Sequence, residues 1–225
     1  MKIGFNEATA LECKGQSLIA DLEACEKYGF DYILVDMSPN ISATNANILM
    51  ESDFFIVPCA PDYFCYMAID SLTKVFPRWD RVYSQIKEND VFKSADYKMN
   101  SGKPQFIGTI QQRYRPRNGS PAKAFSEWID DINMLVQNKL VPVLKKCNMI
   151  VPYDSCNYDE TYNLINIADF NSLIAQSQSN NTPVFLLTQE QVQKNGSVWE
   201  NMEKNIEDFD QAFDCLANRV INATK

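Results

Sequence analysis

Short runs of mostly apolar residues recur along this chain and alternate with segments of helical periodicity. The runs lie at residues 32–35, 54–57, 106–110 and 184–187. Runs of this length, with little polar interruption, are typical of strands that are covered on both faces. Strands of this kind, separated by helices, predict an α/β fold with a mostly parallel sheet flanked by helices. No run of 18 apolar residues occurs, so a membrane-spanning helix is not expected.

Helical periodicity predicts the connecting elements. We expect helices at about residues 14–28, 42–51 and 62–75, the third with Asp62 as its N-cap. A further long helix is expected to open at Ser120–Pro121, since proline favours the first helical position. The last helix, at about residues 198–222, carries an apolar stripe and needs a surface to pack on. These elements predict one domain over residues 1–225, with a polar, basic insertion at about residues 88–104.

Composition excludes several kinds of site. The 225 residues contain no histidine, which removes Ser-His-Asp and Cys-His nucleophile pairs and zinc sites that need imidazole. The seven glycines form neither a G-x-G-x-x-G nor a G-x-x-x-x-G-K-[ST] motif. The seven cysteines form no C-x-x-C pair, so we expect reduced, mostly buried thiols. With no secretion signal in the first residues, this predicts a cytoplasmic location.

Asp36 is the residue whose position most clearly suggests a chemical role. It follows the run at residues 32–35, and ligands of open α/β sheets collect beyond the carboxyl ends of the strands. A carboxylate there could hold a hydrated Mg²⁺. The alternative is an aspartate that only caps the next turn.

Two segments resemble a known family. Residues 31–39 (DYILVDMSP) and 52–64 (SDFFIVPCAPDYF) resemble the ParA/MinD family of deviant-Walker P-loop ATPases. The first is similar to the family's Walker B strand with its D-x-[PS]-P turn, and the second to the next strand with its V-P-x-x-P-[DE]-[YF] exit. A looser resemblance extends through residues 107–110 and 167–187, and altogether it covers most of residues 17–221.

The resemblance implies a function and a set of roles. Asp36 would be the catalytic residue that organises Mg²⁺ through water, Ser38 and Pro39 would shape the turn facing the γ-phosphate of ATP, and Asn166 and Asp169 would approach the base. The family implies a homodimer, a ParB-like stimulating partner, non-specific DNA binding, and a role in plasmid partitioning or cargo positioning. The family's first strand and phosphate loop have no counterpart here, so we expect a fragment or degenerate member that is poorly active alone.

Basic residues concentrate between residues 93 and 123. Seven of them accompany only one acidic residue, Asp96, in a chain of net charge −8; they are Lys93, Lys98, Lys103, Arg113, Arg115, Arg117 and Lys123. Such a segment could bind DNA phosphates without sequence preference. It could equally be a solvated loop that balances acidic faces, or its arginines could touch a nucleotide phosphate.

A non-catalytic interaction protein is the alternative function. It would keep the fold as a platform and bind partners through the basic segment or the C-terminal helix. Acidic residues crowd that helix, which indicates either a water-facing stripe or a docking face.

Overall fold

The computed structural model describes residues 29–37, 41–94, 100–117, 120–151 and 161–225. Their contacts form two compact units. The N-terminal unit comprises Met1–Asp53 and Val75–Pro104, and the sheet unit comprises Phe54–Lys74 and Gln105–Lys225. One domain over residues 1–225 stays a prediction.

The sheet unit contains the predicted parallel sheet. Its strands are β1 (Phe54–Cys59), β2 (Gln105–Tyr114) and β5 (Asn163–Ala168), in the order β1–β2–β5 with both pairings parallel. Helices flank this sheet, which confirms the α/β class. The strands at 54–57 and 106–110 are therefore confirmed, and β2 continues four residues beyond its apolar run.

β5 was not predicted. Its sequence, NLINIA, has asparagines at the first and fourth positions, so it lacks the continuous apolar run used to find the others. Well before β5, at Ile150, the chain forms an isolated parallel bridge with Phe106 of β2.

Gly108 lets β2 and β5 approach closely. Its φ is +149°, and a Cβ there would lie 2.6 Å from the carbonyl oxygen of Tyr162 and 2.8 Å from Cγ of Leu164. The β1–β2 ladder also shifts register between Phe55 and Ile56. Only glycine satisfies both the backbone angle and the space at this position.

One helical stretch runs from residue 123 to 147 without interruption. It consists of α4 (Lys123–Leu135), a π-helical turn (Val136–Leu140) and α5 (Val141–Cys147). In the π turn the amide of Val141 donates to the carbonyl of Val136, five residues earlier. The helix was expected to open at Ser120–Pro121. Instead these two residues pair with the short strand β3 (Pro116–Arg117) and form the antiparallel strand β4. This pairing keeps them extended, and the helix begins after Ala122.

A second group of elements follows β5. These are α6 (Ser172–Asn180), a 3₁₀ turn (Val184–Leu186), α7 (Gln189–Val192) and α8 (Gly196–Ala223). The helix α8 confirms the predicted C-terminal helix. Its Ile206 and Phe209 join a core cluster with residues of β5, α6 and α7.

The strand predicted at residues 184–187 is wrong. The run forms the 3₁₀ turn, which brings residues three apart onto one side: Val184 and Leu187 are buried, while Leu186 is 59% exposed. A short apolar run cannot by itself distinguish a strand from a helical turn.

The helices and strands described in the N-terminal unit are all helices. It contains α1 (Ala43–Glu51), the second half of α2 (Tyr63–Glu88) and the short α3 (Asp90–Lys93). The N-cap of α1 is Ser42, whose Oγ accepts from the amide of Asn45 at 3.1 Å. The helix predicted at 42–51 is confirmed. The helix predicted at 62–75 is present but runs to Glu88, and the one predicted at 14–28 lies outside the described residues.

The buried strand predicted at residues 32–35 is wrong. These residues are not in a strand, and Tyr32, Ile33 and Leu34 are 48%, 40% and 78% exposed. Asp36 alone takes part in an isolated β-bridge. Apolar composition favours burial, but a strand also needs a neighbouring backbone along its whole length.

Residues 100–104 are held against helices of the same unit. The amide of Asn100 donates to Glu51 Oε2 at 3.0 Å, and the Lys103 ammonium lies 2.6 Å from Asp80 Oδ1. Across the described ranges, no helix combines the length and apolarity needed to cross a membrane.

Candidate functional site

The carboxyl ends of the three parallel strands form the candidate site in the sheet unit. β1 ends at Cys59, opposite Gln111, while β2 and β5 end together at Tyr114 and Ala168. Directly after β5, the amide of Asp169 donates to the carbonyl of Tyr114 at 2.8 Å, which extends the β2–β5 pairing by one hydrogen bond. In open parallel sheets this edge is where ligands bind.

The turn that leaves β1 is built by Asp62. The amide of Cys65 donates to Asp62 Oδ1 at 2.8 Å, and the amide of Tyr66 donates to the Asp62 carbonyl at 3.1 Å. These bonds satisfy amides of the first turn of α2, as an N-cap does. Asp62 therefore acts as the N-cap of α2, as predicted, and its carboxylate stabilises the turn.

Two cysteines flank this turn. Cys59 Sγ lies 3.7 Å from the carbonyl oxygen of Ile110, and the amide of Ala60 donates to Cys65 Sγ at 3.2 Å. Burial, and then the neighbouring Cys65 and Asp62, raise the pKa of Cys59 to about 12. Burial also raises the pKa of Cys65, against the opposing effect of the Ala60 amide. Both thiols are therefore poor nucleophiles at neutral pH.

Arg113 is the cation of this edge. It is exposed, lies near the end of β2, and has a left-handed backbone with φ of 67°. Its charge acts on the Cys65 thiol, where it lowers the pKa, so the guanidinium lies within electrostatic reach of the β1 exit. The β2–β5 register shifts at the same point, between Gln112 and Tyr114. An irregularity of this kind redirects a side chain at the end of a strand.

Asn166 and Asp169, the predicted base contacts, lie in and just after β5. Asn166 Oδ1 accepts from Asn163 Nδ2 at 2.7 Å. Asp169 Oδ1 accepts from the amide of Asn171 at 3.1 Å, and Asn171 Nδ2 donates to the Asp169 carbonyl at 3.0 Å. The Asp169 carboxylate thus holds the turn that leads into α6.

Asp36 belongs to the N-terminal unit, where its carboxylate is exposed. Ser38 and Pro39 lie outside the described residues. The described part of the chain contains no group of three or more Cys, Asp or Glu side chains placed to hold a metal. Mg²⁺ in phosphate chemistry is usually held by one or two carboxylates with water and the phosphates themselves. One exposed carboxylate fits that mode of binding.

The basic residues predicted to bind DNA fall into both units. In the N-terminal unit, Lys93 lies 4.0 Å from Asp90, and Lys103 is engaged by Asp80. In the sheet unit, Lys123 lies 3.8 Å from Glu127, and Arg113 and Arg115 are exposed. Lys98 and the side chain of Arg117 lie outside what the structure describes.

One buried polar residue near the site was not predicted. Gln111 is fully buried, and its Nε2 donates to Asn133 Oδ1 at 2.6 Å and to the Ile129 carbonyl at 3.2 Å. Its Oε1 has no hydrogen-bond partner among the described residues. The sequence feature that could have identified Gln111 is its place directly after the apolar run of β2. A side-chain amide that is buried there must find hydrogen-bond partners.

Comparison with known proteins gives a partial likeness. A family model described as an AAA domain matches residues 6–89, a range that includes Asp36 and the β1 exit. The uncharacterized protein MJECL24 of Methanocaldococcus jannaschii is 27% identical over 120 residues. That alignment covers 53% of this chain and only 39% of the relative. No solved structure matches the chain. Over residues 6–89 the chain is thus similar to AAA-domain proteins, and its parallel sheet with flanking helices is consistent with a P-loop NTPase-like fold.

Proposed function

We propose that this chain is a ParA/MinD-like ATPase chain of a DNA-partitioning or cargo-positioning system. The observation that carries the proposal is the exit of β1: the parallel strand ends at Cys59, within the sequence VPCAPDY of residues 57–63, and Asp62 caps the helix that follows. The likeness of residues 6–89, a range that includes this exit, to an AAA domain supports the proposal. A homodimer and a ParB-like stimulating partner belong to the same proposal.

The proposed roles follow from the chemistry of phosphoryl transfer, which depends mainly on positioning and charge stabilisation. Asp36 would hold Mg²⁺ through water, and Ser38 with Pro39 would shape the turn beside the γ-phosphate. Arg113 would compensate phosphate charge at the sheet edge. Asn166 and Asp169 would border the base, where Asp169 also keeps the backbone of its turn in place.

Slow or absent turnover is expected from this polypeptide alone. Its 225 residues contain no G-x-x-x-x-G-K-[ST] motif, so they supply no phosphate-loop lysine. Nucleotide binding is therefore a sharper test than hydrolysis.

Isothermal titration with Mg·ATP tests the proposal. We expect Mg²⁺-dependent binding that weakens about tenfold or more in Asp36→Asn, because that change removes the charge facing the metal. Asp31→Asn is the matched control, since Asp31 is also exposed and lies five residues earlier. Equal binding by both variants would contradict the role of Asp36. No heat at all would instead favour the non-catalytic platform.

DNA binding is the second candidate function, and the exposure of both Arg113 and Arg115, two residues apart in the chain, favours it. Reversing Arg113, Arg115 and Arg117 to glutamate should abolish binding of a non-specific duplex, measured by fluorescence anisotropy. The control reverses Lys145 and Lys146, which are exposed on α5 outside the basic segment. DNA binding that survives the first reversal would exclude this candidate.

A further inference from the structure

A cavity of about 340 Å³ lies within the N-terminal unit, between the start of α1 and the second half of α2. Its walls are mainly apolar: Ile41, Ala46 and Met50 line one side, and Trp79, Val82 and Ile86 line the other. Ile41 and Val82 are 62% and 46% exposed, so the cavity opens to solvent. Its size is that of a small-molecule site.

Arg78 is the charged residue that lines this cavity. It is exposed, and no residue in the described ranges forms an ion pair or hydrogen bond with it. The nearby Lys87 is engaged elsewhere, because its Nζ donates to the Gly102 carbonyl at 3.4 Å and lies 4.9 Å from the centre of the Tyr83 ring. The guanidinium of Arg78 is thus available to an anion.

Two further features of the lining favour a polar ligand group. Tyr83 is only 5% exposed, and its hydroxyl has no hydrogen-bond partner among the described residues. Ser42 and Ala43, at the N-terminus of α1, also line the cavity. The first amides of a helix carry partial positive charge, so this end of α1, like Arg78, attracts anions.

We propose that this cavity binds a small anionic amphiphile, a molecule with an apolar chain or ring and one anionic group such as a carboxylate. The apolar part would lie against Trp79, Met50 and Val82. The anionic group would accept paired hydrogen bonds from the Arg78 guanidinium, whose planar fork matches a carboxylate. This site is separate from the nucleotide role of Asp36, which does not line the cavity.

The test is a titration with decanoate, followed by intrinsic tryptophan fluorescence because Trp79 lines the cavity. We expect a saturable change with a dissociation constant on the order of 100 μM, which is reasonable for a ligand of this size. Trp79→Phe should remove most of the signal. Decan-1-ol, which has the same chain without the charge, should bind about five- to tenfold more weakly.

Variants assign the binding to these residues. Arg78→Gln should weaken decanoate binding about five- to tenfold and leave decan-1-ol unchanged, whereas Arg78→Lys should lose less. The matched control is Arg81→Gln, on the same helix but outside the lining, and it should bind decanoate as the unmodified chain does. Ala46→Phe should block both ligands by filling the cavity.

Three outcomes would overturn the proposal. They are no saturable change with decanoate, equal binding of decanoate and decan-1-ol, and equal losses in Arg78→Gln and Arg81→Gln. Asp36→Asn should bind decanoate normally, so failure of this site and failure of the nucleotide site are distinguishable.

Discussion

At Gly108 the backbone of β2 passes so close to Tyr162 and Leu164 that no side chain fits. We predict that Gly108→Ala lowers the free energy of unfolding by about 2–4 kcal/mol, because alanine at this positive φ is strained and its Cβ meets a backbone carbonyl. Urea unfolding followed by circular dichroism measures the loss.

Gly102 is the control for that prediction. A Cβ there would lie 3.5 Å from Asn100 Oδ1, which is an ordinary contact, and its φ is not in the left-handed region. Gly102→Ala should therefore change the free energy of unfolding by less than about 0.5 kcal/mol. Similar losses in both variants would show that the close approach at Gly108 is not the cause.

Cys59 should resist alkylation while the chain is folded. With a pKa of about 12, only about one thiol in ten thousand is ionised at pH 8, and the thiolate is the reactive form. Its rate of reaction with iodoacetamide should rise about tenfold per pH unit above pH 8, as long as the chain stays folded. Peptide mass spectrometry should show that Cys215, which is exposed, reacts before Cys59. Faster reaction of Cys59 would mean that this thiol is not buried as described.

Between elements, β2 and α4 are joined by a hydrogen bond between two amide side chains. The fully buried Gln111 donates from Nε2 to Oδ1 of the half-buried Asn133 at 2.6 Å. A double-mutant cycle with Gln111→Met and Asn133→Ala should give a coupling energy of about 1 kcal/mol, the typical net contribution of such a bond. Denaturant unfolding of the four proteins measures it.

Asn138→Ala is the comparison for the same cycle, since Asn138 is exposed on the adjoining π turn. Its coupling to Gln111→Met should be close to zero. A coupling as large as that of Asn133 would indicate a general change in the helix instead of a direct bond.

For the whole molecule, the number of available basic side chains limits how strongly DNA binding can depend on salt. The basic segment offers seven positive side chains, and the complete chain carries a net charge of −8. Each phosphate contact contributes about −0.9 to the slope of log affinity against log salt, so the slope should be no steeper than about −6. Because Lys103 is already engaged by Asp80, we expect a shallower value. Anisotropy titrations at several salt concentrations give this slope, and a steeper one would require cations outside the basic segment.

The sequence predicted those parts of the fold that depend on local pattern. β1, β2, the Asp62 cap and α8 follow from apolar runs, spacing and a capping side chain. β5 was missed because two asparagines interrupt it. The run at 184–187 has the composition of a strand but forms a 3₁₀ turn against the C-terminal core.

The candidate site was predicted less completely than the fold. Spacing identified Asp62 and drew attention to the arginines, but no local pattern shows that Arg113 adopts a left-handed backbone at the end of β2. That conformation depends on how β2 and β5 pair. The exposure of residues 32–34 likewise depends on what surrounds them, which their own apolar composition does not reveal.

The π turn between α4 and α5 changes the angular phase of the helix. Ile132 and Leu144 are both fully buried although they are twelve residues apart. At about 100° per residue, an unbroken α-helix would place them about 120° apart around the axis. The extra residue taken up by Val136–Leu140 reduces that difference to about 20°. A deletion of one residue in this turn would therefore restore regular winding and still leave Leu144 on the buried side, whereas regular winding with every residue retained would rotate Leu144 away from the interior.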